Sequence, residues 1–314
     1  MPCYHPMLSV KCDAVNEKTG KNYRKIVGSY DPILEDEYRL ADPIAVPCGN
    51  CIGCRMDHSR RWADRMMLEL DHTGKGVFVT LTYNDENLPD KRTLVKKDFQ
   101  DFMKRLRSRK EFENTEIRFY ACGEYGSKTF RPHYHVILFG IDLDSFGPRK
   151  FLSKNELGQP HYTSKLLEEI WSKGFVVITE VSWNTFAYVS RYVLKKLNGP
   201  MSEIYEDLDI LPEFSLMSRR PGIGAYYMDD HKDWLEHNKY FLKGHEISMP
   251  ELFLKSLELT NPELYDKMKR DRKKFAKDRQ MSKLMQTDLY LEEMLERDEK
   301  NHQKVLPLLP RNLA

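Results

Sequence analysis

The sequence predicts an α+β fold built on an antiparallel sheet. Three observations carry that expectation. Between residues 76 and 199, β-branched and aromatic runs alternate with helically spaced ones. They follow the order strand, helix, strand, strand, helix, strand. A hydrophobic share of 40% over 314 residues is ample for a core of that size.

Taken in order, residues 1–54 are loop-rich, with turn formers and most of the cysteines. A basic amphipathic helix is expected over 55–72, with Trp62, Met66 and Leu70 on its apolar stripe. VFVTLTY (77–83) has strand composition, and Phe99, Phe102, Met103 and Leu106 give 96–110 helical spacing. IRFYAC (117–122) and HYHVILFG (133–140) read as strands joined through a glycine-containing loop. A helix follows over 163–172 and a strand, FVVITEVS, over 175–182. The last helix of this block, 184–198, stops at Gly199 and Pro200. This β-α-β-β-α-β order is the split βαβ, ferredoxin-like pattern, whose sheet leaves one face free for a site. Residues 200–314 are charged and mostly helical, with one distinctive loop, MSRRPGIG (217–224). The chain therefore divides into a Cys-rich segment with its basic helix (1–75), a core (76–199) and a charged C-terminal region (200–314).

Charge excludes little globally and says more locally. The net charge is +2. Residues 91–110 carry nine Lys or Arg against two Asp, and 267–279 are biased the same way. Such patches neutralise phosphates, although solvated helix faces have the same composition. Within the tail, 263–300 reads as a mixed-charge helix suited to a partner or to DNA. No apolar run is long enough to span a bilayer, and the start lacks the basic-then-apolar order of a secretory signal. The expected location is the cytoplasm, with no membrane partner. Six cysteines there read as metal ligands or buried thiols rather than disulfides.

His133 and His135 flank Tyr134 on an expected strand, so alternation puts both imidazoles on one face beside Ile137 and Phe139. Ten histidines produce such a pair by accident about 0.3 times, so placement matters more than spacing. Glu124 ends the preceding strand. If 125–132 closes a tight hairpin, Glu124 lies opposite His133 on the same face. Two imidazoles and a carboxylate would hold Mn²⁺ well and Mg²⁺ acceptably, and the same set also suits non-haem iron. A satisfied structural pair of histidines is the plainer alternative.

Tyr188 and Tyr192 mean nothing by spacing, since seventeen tyrosines give that pair by accident about 0.9 times. Their setting is more informative. Phe186, Val189, Val193 and Leu197 form the apolar stripe of the helix. Tyr188, Tyr192, Lys195 and Lys196 lie roughly opposite, away from the expected core. Two phenols beside two ammonium groups suit a phosphate ligand, and an exposed but idle pair is the plainer alternative. GEYGSKT lacks the spacer of a phosphate-binding loop and falls in a hairpin, so it is not one.

Cys48, Cys51 and Cys54 in CGNCIGC have chelate spacing, and Gly49 and Gly53 permit the turns it needs. Three thiolates point to structural zinc, with an iron–sulfur cluster as the alternative because the spacing is close to a ferredoxin's. Cys12, His5 and His58 are possible fourth ligands. Cys122 reads as a small buried residue. Arg219 and Arg220 either form a phosphate-binding nest with the turn that follows or sit on a plain surface turn.

His-hydrophobe-His, the upstream strand FVTLTY and YVSRYVLKK together resemble the three motifs of the HUH endonucleases. PCGNCIGC, GEYG followed by RPHYHVILFG, and MSRRPGIG resemble the replication-initiation proteins of microviruses, the gokushovirus branch in particular. The similarity runs in order from about residue 3 to 231. The aromatic Tyr134 in the middle of the histidine motif is a mild departure. The resemblance implies an HUH endonuclease core in which Glu124, His133 and His135 hold Mg²⁺ or Mn²⁺. It implies that Tyr188 or Tyr192 attacks single-stranded phage origin DNA, leaving a 5′-phosphotyrosine link and a free 3′-OH. Lys195 and Lys196 would stabilise the charge, Arg219 and Arg220 would contact DNA, and Cys3 would be the fourth zinc ligand. Host helicase and polymerase are the implied partners. A non-catalytic nucleic-acid-binding module, stacking bases on Phe78 and Phe119, and a related relaxase or transposase are the competing readings.

Overall fold

The structure, a computed structural model, describes residues 3–17, 20–126, 129–155, 158–192, 203–227, 239–286 and 291–305. The chain opens with β1 (Met7–Val15), β2 (Asn22–Ser29), helix α1 (Pro32–Glu37), β3 (Ile44–Val46) and α2 (Ile52–Thr73). β4 (Gly76–Tyr83), α3 (Lys96–Arg107), β5 (Arg118–Tyr125) and β6 (Pro132–Phe139) follow. Next come β7 (Arg149–Lys154), β8 (Pro160–Ser164), α4 (Lys165–Trp171), β9 (Gly174–Glu180), α5 (Trp183–Tyr192) and α6 (Glu203–Asp207). β10 (Phe214–Met217), β11 (Lys239–Leu242), β12 (His245–Ser248), α7 (Glu251–Thr260), α8 (Pro262–Leu284) and α9 (Leu291–Val305) complete it. Among the described residues no helix is long and apolar enough to cross a membrane.

The described residues fall into two compact units, one within 1–58 and 251–305 and one within 59–250. The second is built on a seven-stranded antiparallel sheet in the order β10-β5-β6-β4-β9-β8-β7. The α+β expectation is met, and the expected strands and helices of 76–192 form within a few residues of their expected ends. The β7–β8 hairpin was not anticipated. β7 is exposed along its whole length, so no buried alternation marks it as a strand.

Period-2 alternation sorts the sheet's side chains onto two faces. On one, Val77, Val79, Leu81 and Tyr83 of β4 pack with Tyr134, Val136 and Leu138 of β6 under Phe99, Phe102 and Leu106 of α3 and Leu167, Ile170 and Trp171 of α4. Each such large side chain contributes roughly 1.5–3 kcal/mol by leaving water. Tyr134, the aromatic between the two histidines, fills this core. Its hydroxyl donates to the Val95 carbonyl (2.8 Å), accepts from the Val95 N–H (3.1 Å) and lies 2.7 Å from the Tyr83 hydroxyl. An aromatic is accommodated here because its polar tip is fully employed at the start of α3. Gly140 ends β6 at φ +87°, where any Cβ would stand 2.4 Å from the Glu116 carbonyl oxygen.

The opposite face carries Phe78, Ile137 and Phe139, covered by α5 through Phe186, with Phe139 and Phe186 ring centroids 6.1 Å apart.

The other unit contains a three-stranded antiparallel sheet, β2-β1-β3, with Leu8 and Val10 buried. These strands were not picked out within the loop-rich residues 1–54. Turn formers are frequent there, but Leu8, Val10, Cys12 and Ala14 alternate with Ser9, Lys11 and Asp13 along β1, and the stretch Leu8–Val10 is buried.

Candidate functional site

The register of β5 with β6 pairs Glu124 with His133 and Cys122 with His135. The hairpin expected from sequence therefore forms, and Glu124 and both histidines share the sheet face opposite Tyr134. Glu124 Oε1 lies 2.9 Å from His133 Nε2 and 3.5 Å from His135 Nε2, and the two Nε2 atoms are 3.2 Å apart. Adjacent ligands of a divalent cation, about 2.1 Å from it at right angles, stand about 3 Å apart, so the three atoms fit one ion's coordination face.

Both imidazoles are oriented from behind. His133 Nδ1 donates to the Arg131 carbonyl (3.1 Å), which turns Nε2 toward the site. His135 Nδ1 is 3.0 Å from Thr80 Oγ1 of β4, its partner in register. Thr80 was not singled out from sequence, and a threonine in a strand gives no signal of such a role. Burial disfavours the Glu124 carboxylate, but hydrogen bonds from His133 and His135 outweigh it and hold its pKa at about 2. Glu124 and His135 are sealed from solvent, while the His133 side chain keeps 14% of its surface exposed and marks the site's opening.

Tyr188 stands beside this centre. Its ring centroid is 5.5 Å from that of His135 and 6.2 Å from that of Phe78, edge-on in both cases. The expectation that Tyr188 lies away from the core is incorrect, because it is only 6% exposed. The reason is a second covering element. α5 is packed by α2 as well as by the sheet, with the Ser59 hydroxyl donating to the Ala187 carbonyl (2.9 Å) and lying 3.0 Å from the Ser190 hydroxyl. Every residue from Thr185 to Ser190 is buried, so one apolar stripe does not define the helix's inner side. Tyr192 ends α5 one turn later. Lys195 and Lys196 lie outside the described residues.

The four cysteines Cys3, Cys48, Cys51 and Cys54 converge, and their sulfurs all lie within 4.8 Å of one another. Cys51 Sγ is 3.9 Å from Cys3 Sγ, and Cys48 Sγ is 4.0 Å from Cys54 Sγ. Tetrahedral zinc with bonds of about 2.3 Å sets sulfurs about 3.8 Å apart, so the set fits. Of the alternatives for the fourth ligand, Cys12, His5 and His58 do not join the group. Backbone N–H groups point at the sulfurs: Tyr4 and Cys54 donate to Cys51 (both 3.4 Å), and Cys48 donates to Cys3 (3.2 Å). Burial pushes the Cys51 thiol up, but the N–H groups of Tyr4 and Cys54 and its neighbouring thiols bring it down to about 7. Burial holds the Cys3 and Cys54 thiols up, so without a cation the cluster favours the thiolate at Cys51 and the thiol at Cys3 and Cys54. Cys122 is buried, as expected of a small packing residue.

The loop over 217–224 is pinned through its backbone. Arg118 Nη2 donates to the carbonyls of Pro221 (2.9 Å) and Gly222 (3.0 Å), and Arg65 donates to that of Ile223 (2.9 and 3.1 Å). Glu69 pairs with Arg118 in the interior and accepts from the Gly224 N–H (2.5 Å). These three charged residues were missed from sequence, where they look like ordinary surface charges. Arg219 and Arg220 themselves are exposed.

The family model described as "Replication-associated protein ORF2/G2P" matches residues 76–197, which hold Glu124, His133, His135 and both tyrosines of α5. The chain is 34% identical over 242 residues to "Replication-associated protein ORF2" of Spiroplasma virus 4, covering 74% of this chain and 71% of that protein. To "Replication-associated protein VP4" of Bdellovibrio phage phiMH2K it is 33% identical over 210 residues, or 65% of this chain and 62% of that protein. To "Replication-associated protein ORF4" of Chlamydia phage 1 it is 28% identical over 214 residues, or 66% and 52%. It thus spans less than two thirds of the last two. No solved structure matches the chain.

Proposed function

The chain belongs to the replication-associated protein family, and on that premise we propose that it initiates rolling-circle replication of a single-stranded DNA phage by nicking the origin through a tyrosine. The observation that carries this reading is the meeting of Glu124, His133 and His135 with Tyr188 on one sheet face. Strand order supports an HUH-type, ferredoxin-like core. The first and third strands of the β-α-β-β-α-β unit, β4 and β6, are central, and α3 and α4 cover one face.

Glu124, His133 and His135 would hold Mg²⁺ or Mn²⁺, which when bound supplies Lewis acidity to the scissile phosphate. Thr80 and the Arg131 carbonyl keep both imidazoles in the ligating orientation. The phenol of Tyr188 or Tyr192 loses its proton and its oxygen bonds to phosphorus. The bond from phosphorus to the 3′ oxygen breaks, and that oxygen takes up a proton to leave as a free 3′-OH. A phenol with an ordinary pKa of about 10 needs activation, the role proposed for Lys195 and Lys196. The phosphotyrosine ester keeps the phosphodiester energy, so a 3′-OH can reseal the strand without ATP. A second tyrosine one helical turn away allows a second cut while the first still holds DNA. Arg219 and Arg220, exposed on a pinned loop, would contact DNA phosphate, and zinc would occupy the cysteine site. Host helicase and polymerase would extend the strand.

The triad alone also suits ferrous iron; the tyrosine packed against it and the family favour phosphoryl transfer. The base-stacking alternative is disfavoured. Phe78 is buried against His135 and Tyr188, and Phe119 packs on Phe99 (centroids 5.3 Å apart) with Arg107 over its ring.

The test is a denaturing gel of purified protein with labelled single-stranded origin oligonucleotides and Mn²⁺ or Mg²⁺. A metal-dependent covalent adduct is expected, abolished in the Tyr188→Phe/Tyr192→Phe double variant. A single variant that loses it names the first nucleophile. Tight binding with no adduct would return the chain to the class of non-catalytic binders.

A further inference from the structure

α8 starts firmly and then leaves the protein surface behind. Asn261 Oδ1 accepts from the Leu264 N–H (3.1 Å), Pro262 opens the helix and Met268 is buried. From Lys269 to Arg279 every residue is exposed except the half-buried Arg272. Residues 267–279 hold eight Lys or Arg and two Asp.

The charges are not spread evenly around the helix. Lys269, Lys273 and Lys277 follow one another at i, i+4 and i+8, with Arg270 and Lys274 in the adjacent row. At about 100° per residue these five fill an arc of roughly 140° over about 12 Å of axis. Asp271 and Asp278 fall outside the arc, beyond its Lys274 edge. Asp266, the acid that precedes the arc, faces Lys21 Nζ at 3.9 Å. Among the described residues none of the five takes part in an ion pair.

We propose that this face of α8 docks on the phosphate backbone of double-stranded DNA without regard to sequence, an inference that rests on the DNA-processing reading above. Duplex DNA carries one charge per about 1.7 Å of axis, so about seven phosphates lie along the 12 Å that the five cations span. Sites for single strands interleave cations with aromatic stacking platforms. No residue within the basic arc is aromatic. Tyr265, one turn before it, lies 5.9 Å from Lys269 Nζ but already holds Lys21 Nζ over its ring at 4.7 Å, and the exposed ring of Phe275 lies on the far side. A membrane surface would need a broad apolar face. Here the far side carries Asp271, Arg272, Asp278 and Arg279.

The test measures binding of the full chain to a 20-base-pair duplex lacking the origin, by fluorescence anisotropy across a salt series. The variant replaces Lys269, Arg270, Lys273, Lys274 and Lys277 with Gln, which keeps helix propensity; circular dichroism verifies the fold. The slope of log K against log salt should flatten by about 4.5 if all five contact phosphate. A second variant with Arg in place of the four lysines should keep the full slope. An unchanged slope in the Gln variant overturns the proposal. So does a loss confined to a single-stranded 20-mer, or to phosphatidylserine vesicles. Adduct formation on a short single-stranded oligonucleotide should be the same in the Gln variant. If the wild type forms no adduct but its duplex slope responds to the Gln variant, the nicking reading fails and this inference stands.

Discussion

Glu124, His133 and His135 sit on two hydrogen-bonded strands whose register the sheet sets, whereas Cys3 meets Cys48 across 45 residues of chain. The first cluster lies in a sheet whose other face is a large apolar core. Among the described residues, the apolar neighbours of the second are Tyr4, Ile52, Met294 and Leu295. The contrast teaches what a metal would do in each place. Where the backbone already holds the ligands together, an ion adds chemistry to a fold that stands without it. Where ligands arrive from distant segments with few apolar neighbours, the ion's binding energy is folding energy.

Three variants test that contrast, in falling order of effect. His135→Ala should cut adduct formation by at least about 10³-fold, with the melting temperature moving by no more than about 5 °C. Unfolding of the variant, or an unaffected adduct, would break the distinction. If the cysteine site holds structural zinc as proposed, Cys51→Ser should abolish zinc binding and cost about 4 kcal/mol or more of stability. Metal analysis with limited proteolysis would show the unit of residues 1–58 and 251–305 becoming cleavable. A metal-free protein equally resistant to protease would make the cysteines ordinary packing residues. Thr80→Val keeps the side chain's shape and removes the hydroxyl that faces His135 Nδ1. Metal affinity at the sheet site should fall about 10–100-fold, with little change in stability. Isothermal titration with Mn²⁺ reads the difference, and unchanged affinity would leave orientation of His135 to packing alone.

The histidine site was legible to the extent that it is local. His133 and His135 two residues apart, and Glu124 nine residues before His133 across a hairpin, follow from strand periodicity. Tyr188 shows where that logic ends. Its position on the helical wheel was read correctly, but the wheel knows nothing of α2, whose Ser59 seals the second side of α5. Glu69 and Arg118 are 49 residues apart, and nothing in either neighbourhood announces that they meet in the interior and carry the 217–224 loop.

By itself the sequence determined the order of the core elements, the shared face of the two histidines and the chelate spacing of Cys48, Cys51 and Cys54. All of these depend on periodicities that repeat within a few residues. Tertiary structure alone decided that Tyr188 is buried beside His135 and that the Thr80 hydroxyl faces that ring's Nδ1. Those are meetings of distant segments, selected by which pairs of faces exclude water best, and that selection is made by the whole chain at once.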